Sequence, residues 1–358
     1  MKRLILAIIC CTIFIATSAQ KTISPGNPLL AVEGRTWFHN DSALVLSWPG
    51  TNVTIRFKGT GISAILQDTD TANYYNVIID GKVKKRIHTD TAKKTYTLAS
   101  RLSKGEHTVQ LFKITEWDKG NTYCYGFKLN PGTQLLPPAA PKKRKIEFFG
   151  NSITCGYGIE DSTGNDSGHG YFENNYLTYA AITARHFDAQ YHCTSKSGIG
   201  IMLSWFPLIM PEMYDRTNPT DSSSHWDFSK YTPDVVVINL FQNDSWLVNK
   251  PEHEQFKSRF GTQKPDSSFI VNAYAKFVAN VRNKYPNAYI ICALGSMDAT
   301  RGGAPWPGYI QTAVSGLNDK KILTHFFPYK NTPGHPRLAE QASMAKDLIS
   351  FIEQNIVW

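Results

Sequence analysis

The chain is expected to fold as two domains of different class: an N-terminal all-β jelly-roll sandwich, then an α/β domain on a parallel sheet. Three observations support this. Residues 20–135 read as short strands separated by turn residues, with no helix pattern among them. From residue 145 to 358, near-continuous apolar runs alternate with amphipathic stretches. Between the two lies residues 136–144, Leu136-Pro137-Pro138-Ala139-Ala140-Pro141 followed by Lys142-Lys143-Arg144, which reads as a solvated linker.

Residues 1–19 have the form of an export signal. Lys2 and Arg3 supply the positive end, Leu4 to Ile15 the apolar stretch, and Ala16-Thr17-Ser18-Ala19 a small-residue cleavage site. Cleavage before Gln20 would leave a secreted or periplasmic protein. The apolar run is too short to span a bilayer, and no later segment approaches the length needed, so no membrane insertion is expected.

In the first domain, strands are expected at Ala43–Trp48, Asn52–Phe57, Gly61–Gln67, Tyr74–Ile79, Thr95–Leu98, His107–Ile114 and Tyr123–Leu129. Alternation is plain in Val53, Ile55 and Phe57 and again in Val109 and Leu111, while Asp80-Gly81 and Lys104-Gly105 mark tight turns. In the second domain the strands are Ile146–Gly150, Gln190–Thr194, Val235–Leu240, Tyr289–Leu294 and Ile322–Phe327. Amphipathic helices fall near Tyr176–Phe187, Phe269–Lys284, Tyr309–Ser315 and Arg337–Ile352. Strands so uniformly apolar belong to a parallel sheet covered on both faces.

With 358 residues and 42% hydrophobic content, two substantial cores are within reach. Loss of Lys2 and Arg3 lowers the formal charge by 2, from +9 to +7. The bases are scattered outside the linker and no nucleic-acid module is present, so no nucleic-acid partner is expected. No obligate protein partner is evident. Cys124, Cys155, Cys193 and Cys292 follow the leader without a metal-ligand spacing. Cys155 and Cys193 fall in or just after neighbouring strands, and buried thiols are favoured there over a bridge.

The chemistry centres on Gly150-Asn151-Ser152, where an apolar strand stops at a glycine and turns towards a helix. Ligands gather at the carboxyl ends of strands in such sheets. Backbone N–H groups at a helix start favour developing negative charge, which suits a nucleophilic hydroxyl. His335, just before the last helix with Pro336 suited to its first position, is the candidate general base. Gly198 in Ser197-Gly198-Ile199-Gly200, and Asn243 after Val235–Leu240, are candidate oxyanion donors together with the Ser152 N–H. Singly, each also reads as a helix cap or turn residue. Their shared place at strand carboxyl ends favours a catalytic set.

These residues, in this order, resemble the SGNH (GDSL-like) hydrolases. The block Gly150-Asn151-Ser152-Ile153-Thr154-Cys155-Gly156-Tyr157-Gly158, with Pro233-Asp234-Val235-Val236-Val237-Ile238-Asn239-Leu240, is similar to the acetyl esterases of carbohydrate esterase family 2. Ile79-Asp80-Gly81 and Lys104-Gly105-Glu106-His107-Thr108-Val109 resemble that family's first domain. The resemblance implies a jelly roll ahead of a three-layer, flavodoxin-like SGNH domain. It further implies removal of O-acetyl groups from plant polysaccharides or oligosaccharides through an acyl-enzyme on Ser152, with no metal and no cofactor.

Three positions depart from the family pattern. Asn151 stands for an aspartate in the first block. Phe241 stands where a glycine is usual, and its ring is expected to narrow the pocket. Thr332 stands for the aspartate expected three residues before the histidine. A Ser152–His335 dyad is therefore expected, its imidazole oriented by a backbone carbonyl or another acid, with Asp298 and Asp244 as fallback orienters. Trp205, Trp226, Trp246 and Trp306 lie near sheet-end loops and suit stacking on sugar rings. Of the three taken as candidate substrate contacts, Trp306, Trp246 and Trp205, Trp306 is expected to be the most exposed. His169 and Tyr171 are further candidates in a glycine-rich loop. Two other readings compete: a carbohydrate-binding protein with a degenerate hydrolase domain, and an esterase of other small acyl esters or lipids.

Overall fold

The computed structural model describes residues 21–358; the expected export leader lies outside the described residues. The first domain is built from β1 (Lys21–Ile23), β2 (Leu30–Glu33), β3 (Thr36–His39), β4 (Ala43–Leu46), β5 (Asn52–Lys58) and β6 (Ile62–Asp68). It continues with β7 (Tyr74–Ile79), β8 (Lys82–His88), β9 (Lys94–Ala99), β10 (Glu106–Lys113), β11 (Thr122–Leu129) and β12 (Gln134–Leu136). Two antiparallel sheets face each other, one in the order β3-β4-β11-β6-β9 and the other β12-β5-β10-β7-β8. The alternation read from sequence becomes cross-strand packing: Ile55 pairs with Val109 and Val53 with Leu111 in the register of β5 and β10. These residues meet Leu66, Tyr75 and Phe127 in one buried core.

The second domain carries β13 (Arg144–Gly150), β14 (Ala189–Ser195), β15 (Val235–Asn239), β16 (Tyr289–Leu294) and β17 (Ile322–Phe326). All pair in parallel, in the order β14-β13-β15-β16-β17. Its helices are α1 (Ser152–Cys155), α2 (Tyr179–His186), α3 (Met210–Met213), α4 (Gln242–Leu247), α5 (Glu254–Phe260), α6 (Ser267–Lys284), α7 (Trp306–Leu317) and α8 (Leu338–Asn355). Phe148, Val235 and Val237 turn one way, onto α2 and α8. Phe149, Val236 and Ile238 turn the other way, onto α6 and α7. The period of two along a strand thus fills both layers of the core. The strand order reverses direction at β13, so the crevice outside its carboxyl end is the topological switch point.

Two cores do not make two independent bodies. Arg35, from the sandwich, is buried against Glu147 on β13, with Nη2 2.8 Å from Oε1. Its Nη1 donates to the carbonyls of Tyr214 and Arg216 at 2.6 and 3.0 Å. Thr194 and Tyr285 donate to the Glu147 carboxylate. The Trp48 indole N–H reaches the Thr217 carbonyl at 2.7 Å. Strand β12 runs through Leu136, the first residue of the expected linker.

The short strands β1, β2 and β3, the charged strand β8 and the terminal β12 lie outside the expected strands, and the short helices α3, α4 and α5 outside the expected helices. All four cysteines after the leader are buried and free. Cys155 and Cys193 share a neighbour in place of a bond: Ser195 Oγ lies 3.2 and 3.0 Å from their sulfurs.

Candidate active site

Ser152 opens α1 directly after β13, with Asn151 as the cap residue accepting from Ile153 N–H. The seryl group is nearly buried, and its Oγ lies 2.8 Å from His335 Nε2. His335 reaches it from the segment before α8. That helix begins at Leu338 with Arg337 as its cap, so Pro336 precedes the helix and is not its first residue.

The group that holds the imidazole is Asp166. Its Oδ2 lies 2.8 Å from His335 Nδ1, and both of its oxygens accept from His335 backbone N–H at 3.0–3.1 Å. Arg337 Nη2 lies 2.6 Å from Asp166 Oδ1, and the same guanidinium also donates to the Gly158 carbonyl. Of the two orienters expected, an acid and not a backbone carbonyl meets the imidazole, giving a hydrogen-bonded Ser152–His335–Asp166 line. The acid enters from a different loop, 169 residues before the histidine. Neither fallback acid takes part: Asp298 accepts from Gln242 and the Trp246 indole, and Asp244 from the N–H groups of Ile201, Met202 and Leu203. Thr332 bonds Lys330 and Glu340 instead.

The electrostatics follow from these contacts. Partial burial alone pushes the Asp166 carboxyl up. The two hydrogen bonds from His335, with the charges of His335 and Arg337, outweigh it and hold the group well below the usual carboxylate range. Asp161 shapes the loop, accepting from Thr163 and from Ser167 N–H at 2.9 Å. Gly334 sits at φ +69°, where a Cβ would come within 2.8 Å of Asp166 Oδ1.

On the opposite side of Ser152, Gly198 adopts φ +81°, a left-handed backbone that glycine takes without strain. Asn243 is nearly buried at the start of α4; its Nδ2 donates to the Ile199 carbonyl at 2.8 Å and its Oδ1 accepts from the Trp205 indole at 3.1 Å. One amide hydrogen of Asn243 remains for the cavity. Asp244, fully buried, ties down the adjoining loop; burial pushes its carboxyl up to about 6 against the pull of three backbone N–H donors.

Ser152, Asp166, His335, Gly198 and Asn243 all line one open cavity of about 410 Å³. Trp205, Phe206, Trp246 and Tyr157 give it aromatic walls. Asp118 brings in the sandwich, paired at 2.8 Å with Lys196. A larger cavity of about 730 Å³ lies elsewhere, between Pro207, Phe260 and Phe269, and contains no paired nucleophile and base.

The aromatic expectations divide. Trp205 is exposed and Trp246 lines the cavity. Trp306 does not: it is 6% exposed, packed edge-on against Phe241 and Tyr309. The Pro305–Pro307 pair starts α7 and turns the indole into the core. Trp226 packs on Arg35, away from the cavity. Tyr171 is exposed beside Tyr74, and neither it nor His169 lines the cavity. Phe241 does not narrow the pocket. It holds a left-handed φ of 84° while its ring lies fully buried between Tyr274 and Trp306.

A parallel α/β sheet with the Ser152–His335 pair at its switch point, behind an antiparallel sandwich, is the architecture of the SGNH (GDSL-like) type. Residues 32–139 match the family model described as Carbohydrate esterase 2 N-terminal, and residues 148–325 match the GDSL-like Lipase/Acylhydrolase family. The chain belongs to carbohydrate esterase family 2. A family two carbohydrate esterase from Clostridium thermocellum, solved with cellohexaose, is 33% identical, with a TM-score of 0.81 over 91% of this chain and 98% of that one. The Cellvibrio japonicus family two structure is 25% identical, with a TM-score of 0.83 over 94% and 98%. Among curated proteins, the cellulase/esterase CelE of Acetivibrio thermocellus is 34% identical over 95% of this chain, which spans only 41% of that longer protein. An acetylxylan esterase / glucomannan deacetylase of Cellvibrio japonicus is 27% identical over 95% of this chain and 93% of its own.

Proposed function

We propose that the protein is an exported serine esterase that removes O-acetyl groups from plant polysaccharides or their oligosaccharides. The observation that carries this is the unbroken line from Asp166 through His335 to Ser152 Oγ, ending in a cavity that Gly198 and Asn243 share. Relatives described as acetylxylan esterases and glucomannan deacetylases supply the substrate class. Export, with cleavage after Ala19, rests on the charged, apolar and small-residue order of residues 1–19.

As Ser152 Oγ attacks the acetyl carbonyl, His335 Nε2 takes its proton, and Asp166 holds the imidazole by Nδ1 and supports its positive charge. The carbonyl oxygen becomes an oxyanion facing the N–H groups of Ser152 and Gly198 and the Asn243 amide. Collapse breaks the bond to the sugar oxygen, which leaves with the proton from His335. Water, deprotonated by the same imidazole, then attacks the acetyl-serine and releases acetate. A complete base side argues against a degenerate, binding-only domain. The open cavity, with aromatic walls and the Asp118–Lys196 pair at its edge, suits a sugar better than a long acyl chain.

The test is acetate release from acetylated xylan and glucomannan, beside a chain-length series of 4-nitrophenyl esters, by wild type and Ser152→Ala. Wild type should release acetate and prefer the acetyl ester, and Ser152→Ala should lose essentially all activity. A preference for octanoate, or equal rates for the two proteins, would overturn the proposal.

A further inference from the structure

The sandwich meets the catalytic crevice through one segment, Glu116–Lys119, between β10 and β11. Glu116 is wholly buried. Its Oε2 accepts a hydrogen bond from Ser197 N–H at 2.7 Å and lies 3.7 Å from Cys155 Sγ on α1. Its own N–H donates to Glu173 Oε2 at 2.9 Å, while Lys119 Nζ lies 3.2 Å from Glu173 Oε1. Two residues on, Asp118 pairs with Lys196, the neighbour of Ser197. Burial, together with the negative Glu116 nearby, pushes the Glu173 carboxyl upward, so this is a cluster where charge is dearly held.

The position of Ser197 gives this contact its meaning. Only the two dihedrals of Ser197 separate the N–H that Glu116 holds from the N–H of Gly198, a residue that lines the cavity. On the far side, the Gly198 carbonyl accepts from Trp205 N–H at 3.1 Å. The peptides flanking the donor on either side are therefore held, one from within the α/β domain and one from the sandwich. A hydrogen-bond donor aimed at a developing oxyanion works only when held to within a fraction of an ångström and some tens of degrees. A carboxylate also costs more to bury than a neutral contact between domains, and here its strong hydrogen bond goes to Ser197 N–H.

We propose that Glu116 is a positioning residue for hydrolysis: from the sandwich domain it clamps the Ser197 peptide and so aims the Gly198 N–H at the oxyanion. This rests on the reading of Gly198 as an oxyanion donor given above. Two near-isosteric variants test it in the full-length protein. Glu116→Met fills the same volume without an acceptor and should lower kcat about 10–100-fold on 4-nitrophenyl acetate, short of the effect of deleting a donor outright, with KM within about threefold. Glu116→Gln keeps an acceptor oxygen for Ser197 and should recover kcat to within about fivefold of wild type. Phosphorylation of Ser152 by paraoxon, which passes through the same oxyanion hole, should slow in parallel with kcat.

Equal losses in the two variants, or a loss confined to KM, would show a merely structural contact and overturn the proposal. So would a Glu116→Met enzyme with wild-type kcat. If Glu116→Met does not fold, Glu116→Asp withdraws the acceptor by one methylene and must lower kcat with KM unmoved; unchanged kcat there overturns the proposal equally. Activity in Ser152→Ala would instead remove the esterase mechanism itself, so the two failures are told apart.

Discussion

The two sides of Ser152 are built by different means. On the side proposed to supply the base, His335, Asp166 and Arg337 are joined through side chains by charge-assisted contacts of 2.6–2.8 Å and remain partly open to solvent. The side proposed to face the oxyanion is more deeply buried and joins backbone to side-chain amide. Gly198 is held through its flanking peptides, and Asn243 and Asp244 are buried at the start of α4, where Asp244 takes three consecutive N–H groups. A partly solvated charged network is screened by added salt, whereas buried hydrogen bonds scarcely are. On the proposed mechanism, added salt should therefore act mainly through the base side, and loss of a single donor should act through the oxyanion side whatever the salt.

The largest effect should come from Asp166→Asn. Loss of the carboxylate that sets the imidazole tautomer should lower kcat by up to about 10⁴-fold with little change in KM, measured on 4-nitrophenyl acetate. A loss below tenfold would mean that Ser152 and His335 suffice alone. Asn243→Ala should cost about 10²–10³-fold in kcat, the usual scale for one oxyanion donor. Its relative loss should not change with added salt, in contrast to base-side variants; a strong salt dependence would erase the distinction between the sides.

A smaller change, about tenfold at neutral pH, is expected for Arg337→Met, because Asp166 keeps both bonds to His335. Its pH profile is more telling. Asp166 is held well below the usual carboxylate range, so its support of the imidazole is present at higher pH and fades only as pH falls through that depressed range. Without the Arg337 charge, protonation of the coupled Asp166–His335 pair becomes easier, and the acid limb of kcat/KM should shift to higher pH. An unmoved limb would show that Arg337 does not tune the acid. The smallest effect should be Thr332→Asp, within about twofold of wild type, since His335 Nδ1 already has its acceptor and Thr332 is engaged with Lys330 and Glu340. A large gain would mean that the Asp166 link is weak in solution.

The same division explains what could be read from sequence. Ser152, Gly198 and Asn243 each follow an apolar strand, and His335 precedes a strongly periodic helix, so all four inherit a place in space from their elements. Asp166 inherits nothing of the kind. It stands in Gly164-Asn165-Asp166-Ser167-Gly168, a turn-rich loop whose path is set by Asp161, Tyr157 and Arg337. The signal present was an acid in a glycine-rich stretch shortly after the serine block, and spacing alone could not join it to a histidine so far along the chain. Strand β8 lacks a strand signature in the sequence for another reason. As an edge strand its Lys82, Lys84 and Lys85 face solvent, and charge there masks the alternation that a buried strand shows. Trp306 and Phe241 failed because flanking prolines and a family glycine suggested loops, when both rings serve the core around α7.

The buried pair between Arg35 and Glu147 has a consequence for how such a chain could be recombined. Jelly rolls ahead of enzymes invite treatment as detachable carbohydrate-binding modules, to be trimmed or exchanged. Here, cutting at the proline segment would strip Glu147 of its guanidinium and leave a charge inside the α/β domain with only hydroxyl donors around it. Removing one partner of such a pair typically costs about 3–5 kcal/mol, a large share of what holds a domain of this size folded. Transplanting either half therefore requires carrying the other partner with it.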